Sequence, residues 1–407
     1  MFPSQPMIAI VGGGPAGLTL GLLLYKRSVP FTIFELRQRP TQEELDKPCG
    51  VLDLHDESGQ AALRECGLYD EFLELTGECS EAQRVSDMQG NIIYADEGEL
   101  SERPEISRHA LTKLLISNLP SESLRWGYKV RGASVSGGRT ELDFGDGGRH
   151  SFDLVVGADG AWSRIRSLVT DVRPSYAGVH NITLTIRNVT TKYPQVAKLV
   201  GPGSFSALGM NHGVMSQRGP QDSARIYCFL STPHDFLSTS GLEGQDVRYA
   251  KEKLLDDDCL LGKWGPKIKG LVSTACAEEA TDNPGGTVDI KPMYSLPVDH
   301  RWTNRSGVTL VGDAAHLMCP WAGEGVNLAM WDSLELSRVI IDAFKRADTS
   351  DSFQVALRPQ LERFENDMVA RAKEKAEETA SNGEMLFGDD AAKSFVRFFE
   401  SAYGAPR

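Results

Sequence analysis

Gly12, Gly14 and Gly17 form a GxGxxG run placed directly after the apolar stretch "MIAIV" and at the head of a segment with helical periodicity. In that setting Gly12 permits a tight turn, Gly14 lets backbone N–H groups approach a pyrophosphate, and Gly17 lets a helix pack closely on a strand. The helix N-terminus adds roughly half a positive charge toward the phosphates. Pro15 and Ala16 lie between those glycines, and Glu35 follows Gly17 by eighteen residues, where a carboxylate can accept hydrogen bonds from an adenosine ribose. This is the chemistry of a dinucleotide site, and the loop alone does not separate NAD from FAD. A second junction, "VGDAAHLMCPWAGEGVNLAMWD" (residues 311–332), begins as a buried strand and ends as an amphipathic helix, with Asp313, His316, Pro320 and several glycines crowded between.

The elements that must hold these residues follow from periodicity. Residues 7–11 read as a strand covered on both faces, 15–27 as a helix and 31–34 as a second strand, a βαβ opening. Helical patterns recur over 59–75 and 108–119. Residues 132–153 alternate around a "GDGG" turn, as a hairpin ribbon leading into the buried strand "LVVGAD". Between 177 and 296 the texture changes to β-rich alternation with Gly, Pro and Ser breaks, which marks a second domain; after Asp332 helix dominates, first over 333–346 and then in one long charged helix.

A chain of 407 residues exceeds one ordinary core. A net charge of −13 without a basic stripe sets nucleic acid aside as a partner. Seven cysteines without a CxxC or a His-spaced cluster point to a reduced, intracellular protein without a metal site. No run approaches ~20 apolar residues and no leader-like segment opens the chain, so the expectation is a cytoplasmic protein with no membrane span and no obligate protein partner.

Together "GGGPAGL", "GADGAWSRIR" and "LVGDAAHLMCPWAGEGVN" resemble the three signatures of the FAD-dependent aromatic hydroxylases, the group A flavin monooxygenases. "CGVLDLHDESGQAALRECGL", "PEISRHAL" and the third signature are, within that group, most similar to the tetracycline-inactivating enzymes. The resemblance implies an α/β fold: a Rossmann-like FAD-binding domain of the glutathione-reductase type, a β-sheet substrate domain and a long C-terminal helix. On it, residues 1–76, 102–176 and 300–345 form the FAD-binding domain, 77–101 and 177–299 the β-rich substrate domain, and 346–407 a bridging helix and tail.

The same resemblance carries roles to particular residues. Asp313 accepts hydrogen bonds from the ribityl chain; Pro320, Gly323, Gly325, Val326 and Asn327 lie along the isoalloxazine edge, where a flat cofactor replaces side chains and a helix dipole faces it. Asp159 and Arg166 tie the pyrophosphate region to the path of the nicotinamide donor, Arg108 contacts FAD, and Gly50, Val51 and Leu52 form a strand beside the flavin. His316 reads as a structural histidine and Glu324 as a solvated helix-start acid. The family usually places Arg directly after the ribose-binding Glu, whereas here Leu36 intervenes before Arg37.

The expected reaction is reduction of FAD by a transient NAD(P)H, addition of O₂ to give a flavin C4a-hydroperoxide, and hydroxylation of an aromatic or polycyclic secondary metabolite, with no side chain required as acid or base. Baeyer–Villiger insertion, epoxidation and inactivation of a tetracycline-like antibiotic stay open as alternatives. So do, on other grounds, a flavin-dependent reductase and a non-catalytic binding protein. Trp321, Asn211, His212, Met215, Asn382 and Met385 are the expected substrate-lining residues. Thr183, Ser206 and Ile226 stand where the tetracycline-inactivating enzymes carry polar ligand contacts, which points to another substrate.

Overall fold

In the computed structural model, which describes residues 5–76, 82–98 and 104–403, every side chain of Ile8–Val11 (β1) is buried, as a central strand covered on both faces requires. It pairs in parallel with Thr32–Glu35 (β2) and with Leu154–Gly157 (β11). Leu124–Trp126 (β7) and Val308–Leu310 (β17) complete a five-stranded parallel sheet in the order β17-β11-β1-β2-β7. Helices Pro15–Lys26 (α1), Arg108–Ser117 (α2) and Gly325–Lys345 (α5) are built into the same hydrophobic core. The short strands Val51–Asp53 (β3) and Glu105–Ser107 (β6) pair with each other beside it. The ribbon read from the sequence has three strands, Gly132–Ser136 (β8), Arg139–Asp143 (β9) and Arg149–Phe152 (β10).

The second sheet has seven strands, in the order β16-β12-β15-β14-β13-β4-β5: Ile290–Ser295 (β16), Ser175–Ile186 (β12), Ser223–Ser231 (β15), His212–Gly219 (β14), Ser204–Gly209 (β13), Gln83–Asp87 (β4) and Ile92–Asp96 (β5). All its pairings are antiparallel except β13 with β4. One face is a second apolar core: Ile182, Leu184, Phe205, Val214, Ile226 and Cys228 pack with residues of two helices, Val247–Asp256 and Pro266–Asp282 (α3 and α4). These helices add to the β-rich reading of residues 177–299, which named no helix there. The apolar positions Ile268, Leu271, Val272, Ala275 and Cys276, buried in α4, have helical spacing and were the available signal.

Residues 59–75 do not form one helix. They divide into a π turn, Asp56–Gln60, and the short helices Ala61–Glu65 and Tyr69–Glu74, separated at Gly67 with φ +65°. The long charged helix is Ser350–Leu386 (α6), 37 residues or roughly 55 Å. Its Phe353, Leu357, Leu361, Phe364 and Met368 belong to the first core, while Met385 and Leu386 pack with Leu208 and Met215 of the seven-stranded sheet. The tail expected after it is instead a further helix, Ala391–Tyr403 (α7), whose Phe395 and Phe399 pack on Val85 and Tyr94. Among the described residues no helix is long and apolar enough to cross a membrane, and no His, Cys, Asp and Glu cluster could hold a metal ion.

Candidate active site

The glycine loop is built by close approach of backbone. Gly12 has φ +117° and a Cβ there would lie 2.1 Å from the Ala158 carbonyl oxygen; one on Gly17 would lie 2.0 Å from the Gly12 carbonyl oxygen. By contrast a Cβ on Gly14 would meet nothing within 4 Å. Pro15 opens α1, no side chain caps it, and the buried Ala16 accepts from Ser333 Oγ at 2.8 Å through its carbonyl. An uncapped helix N-terminus below open space is a cradle for a phosphate. Glu35 accepts from the Gly13 N–H at 2.7 Å and the Arg37 N–H at 2.8 Å, so its carboxylate is oriented by the loop it faces, while the Arg37 side chain is exposed.

Asp313 starts a single helical turn after Gly312, whose φ is +60°. Its carboxylate accepts no hydrogen bond among the described residues. It faces an open cleft, yet protein surrounds it closely enough that desolvation raises its pKa above the ordinary carboxylate value, against the pull of His316, Arg108 and Arg166. The backbone beneath it is fixed from both sides. Buried Arg166 donates to the carbonyls of Ala314 at 2.7 Å, Asp313 at 2.8 Å and Ala161 at 2.9 Å. Fully buried Asp332 accepts from the Gly312 N–H at 3.0 Å and pairs with His316 Nε2 at 2.6 Å. Burial works to lower the His316 pKa, but the charge and hydrogen bond of Asp332 prevail and hold it raised. Asp159 shapes the neighbouring loop through Ser163 Oγ at 2.5 Å and the Arg164 N–H at 2.8 Å; burial raises its pKa and those bonds oppose the rise.

On the other side of the cleft, Pro320 opens a short turn that ends at Gly323 with φ +72°, and a Cβ on Gly325 would meet nothing within 4 Å. Val326 is half-buried. Asn327 is buried and fully engaged: it donates to the Asp53 carbonyl at 3.0 Å and accepts from the His55 N–H at 2.9 Å. Its side chain therefore fastens α5 to the end of β3. Buried Val51 and Leu52 lie in that strand. A Cβ on Gly50 would sit 2.6 Å from Tyr227 Oη and 3.6 Å from Arg108 Nε, so the exposed Arg108 side chain meets the seven-stranded sheet here. Glu324 is not a solvated acid. It is buried, with Lys375 Nζ at 2.7 Å and His55 Nδ1 at 3.6 Å, and His55 Nε2 lies 3.1 Å from Asp53.

Strand alternation decides which face of the second sheet serves the cleft. Met215 packs with Trp321, Met385 and Phe387; the Trp321 ring lies 4.8 Å from Phe229 and 5.0 Å from Phe387, and Asn382 Nδ2 donates to the Trp321 carbonyl at 3.1 Å. Asn181, Thr183, Thr185, Ser206, Gln217, Arg225 and Tyr227 share that face by register. His212 and Ile226 point the opposite way: His212 is buried, bonding the Cys259 carbonyl at 2.9 Å and accepting from the Ser231 N–H at 3.1 Å, and Ile226 is core. Asn211 sits at φ +60° in the turn before β14 and is exposed. The structure thus gathers Trp321, Met215, Asn382 and Met385, and leaves Asn211 and His212 outside. Tyr227 and Phe229 were missed, although "ARIYCFLS" alternates them with Ala224, Ile226 and Cys228.

The family model for the FAD binding domain matches residues 6–352. The chain belongs to the FAD-binding group A flavin monooxygenases. It is similar to monooxygenase penA of Penicillium thymicola, 36% identical over 98% of this chain and 99% of that one. Its fold is that of Klebsiella pneumoniae HpxO complexed with FAD and uric acid (TM-score 0.73, 18% identity, 97% of this chain and 92% of that one). Tetracycline destructase Tet(51) shares the fold at TM-score 0.68 but only 17% identity, over 98% of this chain and 96% of that one. In sequence this flavin-dependent monooxygenase is therefore nearer penA than the destructase. FAD fits the residues present, because the open space at Gly14 and Gly325, the uncapped α1 and the unbonded Asp313 carboxylate are what a long polar cofactor would complete.

Proposed function

We propose that this monooxygenase hydroxylates a flat aromatic or polycyclic secondary metabolite with NAD(P)H and O₂, and that the substrate lies between the inner face of the seven-stranded sheet and the Pro320–Gly323 turn. The observation that carries this reading is the two-part character of that face. Phe229, Trp321, Phe387, Met215 and Leu208 make an apolar wall, and Asn181, Thr183, Gln217, Arg225 and Tyr227 add a hydrogen-bonding edge. Aromatic walls with a few placed polar groups suit planar ligands that carry one oxygenated edge. Uric acid in the HpxO complex is a flat ring system of this general class.

FAD would be held by the Gly12–Gly17 loop and α1 at its phosphates, by Glu35 at the ribose, by Asp313 with Arg166 behind it along the chain of hydroxyls, and by Gly323 and Gly325 at the ring. Bound there, it supplies hydride acceptance and oxygen activation. The chain's own part is position and dryness. Trp321 and Phe387 exclude water from one end, the sheet covers the other, and Asn382 holds the Trp321 carbonyl. Arg108 and Arg225 both favour an ionised Tyr227 hydroxyl, but burial outweighs them and keeps its pKa raised, so Tyr227 is a hydrogen-bond donor at neutral pH.

The test is to purify the yellow protein and screen aromatic polyketides and alkaloids for stimulated NAD(P)H oxidation, with a product heavier by one oxygen atom. A hit should lose affinity on Phe229→Ala while FAD content is unchanged. Stimulated oxidation without oxygen incorporation across the panel counts against a hydroxylase, and NMR of a product separates hydroxylation from ring insertion.

A further inference from the structure

Four titratable side chains from three parts of the chain form a row beside the Pro320–Gly323 turn. His55 Nε2 lies 3.1 Å from Asp53 Oδ2, His55 Nδ1 lies 3.6 Å from Glu324, and Glu324 holds Lys375 Nζ at 2.7 Å. His55 and Glu324 are buried, and a row of charges in such a place costs desolvation that apolar side chains of like size would avoid. Its open end is Asp53, whose side chain is 35% exposed. Oδ2 faces His55, whereas Oδ1 accepts no hydrogen bond among the described residues. Oδ1 is also the atom nearest to where a Cβ on Gly323 would stand, at 3.6 Å. The free oxygen therefore opens at the turn against which the substrate is taken to lie. One amide fixes the pair from behind: Asn327 donates to the Asp53 carbonyl at 3.0 Å and accepts from the His55 N–H at 2.9 Å.

A carboxylate with one oxygen oriented by an imidazole and the other free in a cleft is arranged as a general base. We propose that Asp53 is the proton acceptor for the substrate's hydroxyl group, with His55 as its positioning residue. This rests on the hydroxylation reading above and adds an acid–base residue to it. When the ring carbon beside a hydroxyl takes up the oxygen that the monooxygenase activity supplies, the ring gives up an electron pair. The hydroxyl oxygen replaces it by closing a C=O, its O–H bond breaks, and the proton goes to Asp53 Oδ1. The oxygenated carbon then sheds its hydrogen to solvent as a proton, the C=O returns to C–O⁻, and that oxygen takes the proton back from Asp53. Other charges bear on the seat. Glu105 is the cross-strand partner of Asp53 on β6, Glu324 and Lys375 approach from α5 and α6, and Arg108 and Arg225 act on Tyr227. A phenol oxygen seated by those guanidiniums would favour the anion, whereas one seated at Asp53 favours the neutral phenol.

The experiment uses FAD-loaded protein with 7-hydroxycoumarin and 2-naphthol as probes, flat phenols whose neutral and ionised forms absorb at different wavelengths. Each is titrated at pH values on either side of its own pKa, with binding read from the perturbed flavin spectrum and ionisation from the probe's band. A like charge at hydrogen-bond range shifts a pKa by about one unit or more, so the parent should bind the neutral phenol roughly tenfold or more tightly than the phenolate. Asp53→Asn should cut that preference to within about threefold, and Asp53→Glu should restore part of it. Asp56→Asn, a surface carboxylate paired with Arg64, should leave it unchanged. With any substrate found in the oxygenation screen, Asp53→Asn should lower the oxygenation rate roughly 10²- to 10⁴-fold while anaerobic reduction of the flavin stays within about twofold. His55→Gln should lower kcat by less and leave KM within about twofold, a split that a merely structural loss would not give. The proposal is overturned if the parent prefers the phenolate, if neither probe perturbs the parent's flavin, or if Asp53→Asn keeps the parent's preference. An empty screen beside a neutral-phenol preference that Asp53→Asn abolishes would fail the hydroxylation reading and support the seat at Asp53. Should Asp53→Asn fail to load FAD, the parent's preference and Asp53→Ser decide.

Discussion

Asp313→Asn should separate holding the cofactor from holding the fold. The Asp313 carboxylate accepts no hydrogen bond from the described residues, and the backbone beneath it is held independently by Arg166 and Asp332. A charge-assisted hydrogen bond is worth roughly 1.5–3 kcal/mol, and 1.4 kcal/mol is a factor of ten, so loss of one such bond to FAD weakens binding roughly 10- to 150-fold. Stability should respond in the opposite sense. Desolvation raises the Asp313 pKa in the folded protein, so the native state binds more protons than the unfolded state just above the ordinary carboxylate value. That acid therefore subtracts from stability at neutral pH and stops doing so as pH falls below its unfolded value. Because the carboxylate faces an open cleft, solvent keeps the effect small. Apo Asp313→Asn should melt at or slightly above the parent at neutral pH, with the gap closing as pH falls into the carboxylate range. FAD affinity by calorimetry and melting by circular dichroism read the two effects separately. Parent-like FAD affinity, or an apoprotein that melts several degrees lower, would refute the reasoning.

Glu324→Ala should cost about 3 kcal/mol in urea unfolding of the apoprotein, the low end for breaking a buried pair because Lys375 is partly exposed; a change under about 1 kcal/mol would show the contact to be incidental. The His316–Asp332 pair should stabilise fully below the ordinary histidine pKa and fade as pH rises through the raised folded value. The melting-temperature gap between parent and His316→Gln should accordingly shrink from pH 6 toward pH 9, and a gap that widens would overturn the assignment. Gly17→Ala places a Cβ 2.0 Å from the Gly12 carbonyl oxygen and should destabilise by about 3 kcal/mol, whereas Gly14→Ala enters open space and should leave the apoprotein's melting unchanged while lowering FAD affinity. Equal melting losses in both glycine variants would show that the loop is not built as described.

What the sequence made legible was local. The strand, glycine loop and helix at residues 8–26 are specified by neighbours in the chain, as are the short turn after Asp313 and the long helix that begins near Ser350. What it concealed depends on contacts far apart in sequence. Glu324 looks like a helix-start acid until α6 brings Lys375 to it across about fifty residues of chain, and His55 arrives from the other direction. Asn327 sits in the flavin signature, but the contact that occupies its side chain comes from Asp53 and His55, nearly three hundred residues away. His212 and Ile226 fell on the wrong face because a shift of one residue in a strand reverses every side chain, and only the pairing register with β12, β13 and β15 fixes the direction.

That register also divides the labour of the second sheet. Residues 182, 184, 226, 228 and 230 belong to a core closed by α3 and α4, while their immediate neighbours 181, 183, 225, 227 and 229 face the cleft. A substitution at the half-buried positions 181, 183, 225 or 227 removes no atom from that core, so its cost in stability should be near that of a surface change, within about 0.5 kcal/mol, whereas buried Phe229, packed on Trp321 and Phe387, should cost more. The adjacent core positions carry the cost of a cavity, about 2–5 kcal/mol for Ile226→Ala or Leu230→Ala. If the substrate lies on this face as proposed, its preference can change residue by residue along β12 and β15 while the five-stranded parallel sheet, which shares none of these side chains, stays as it is.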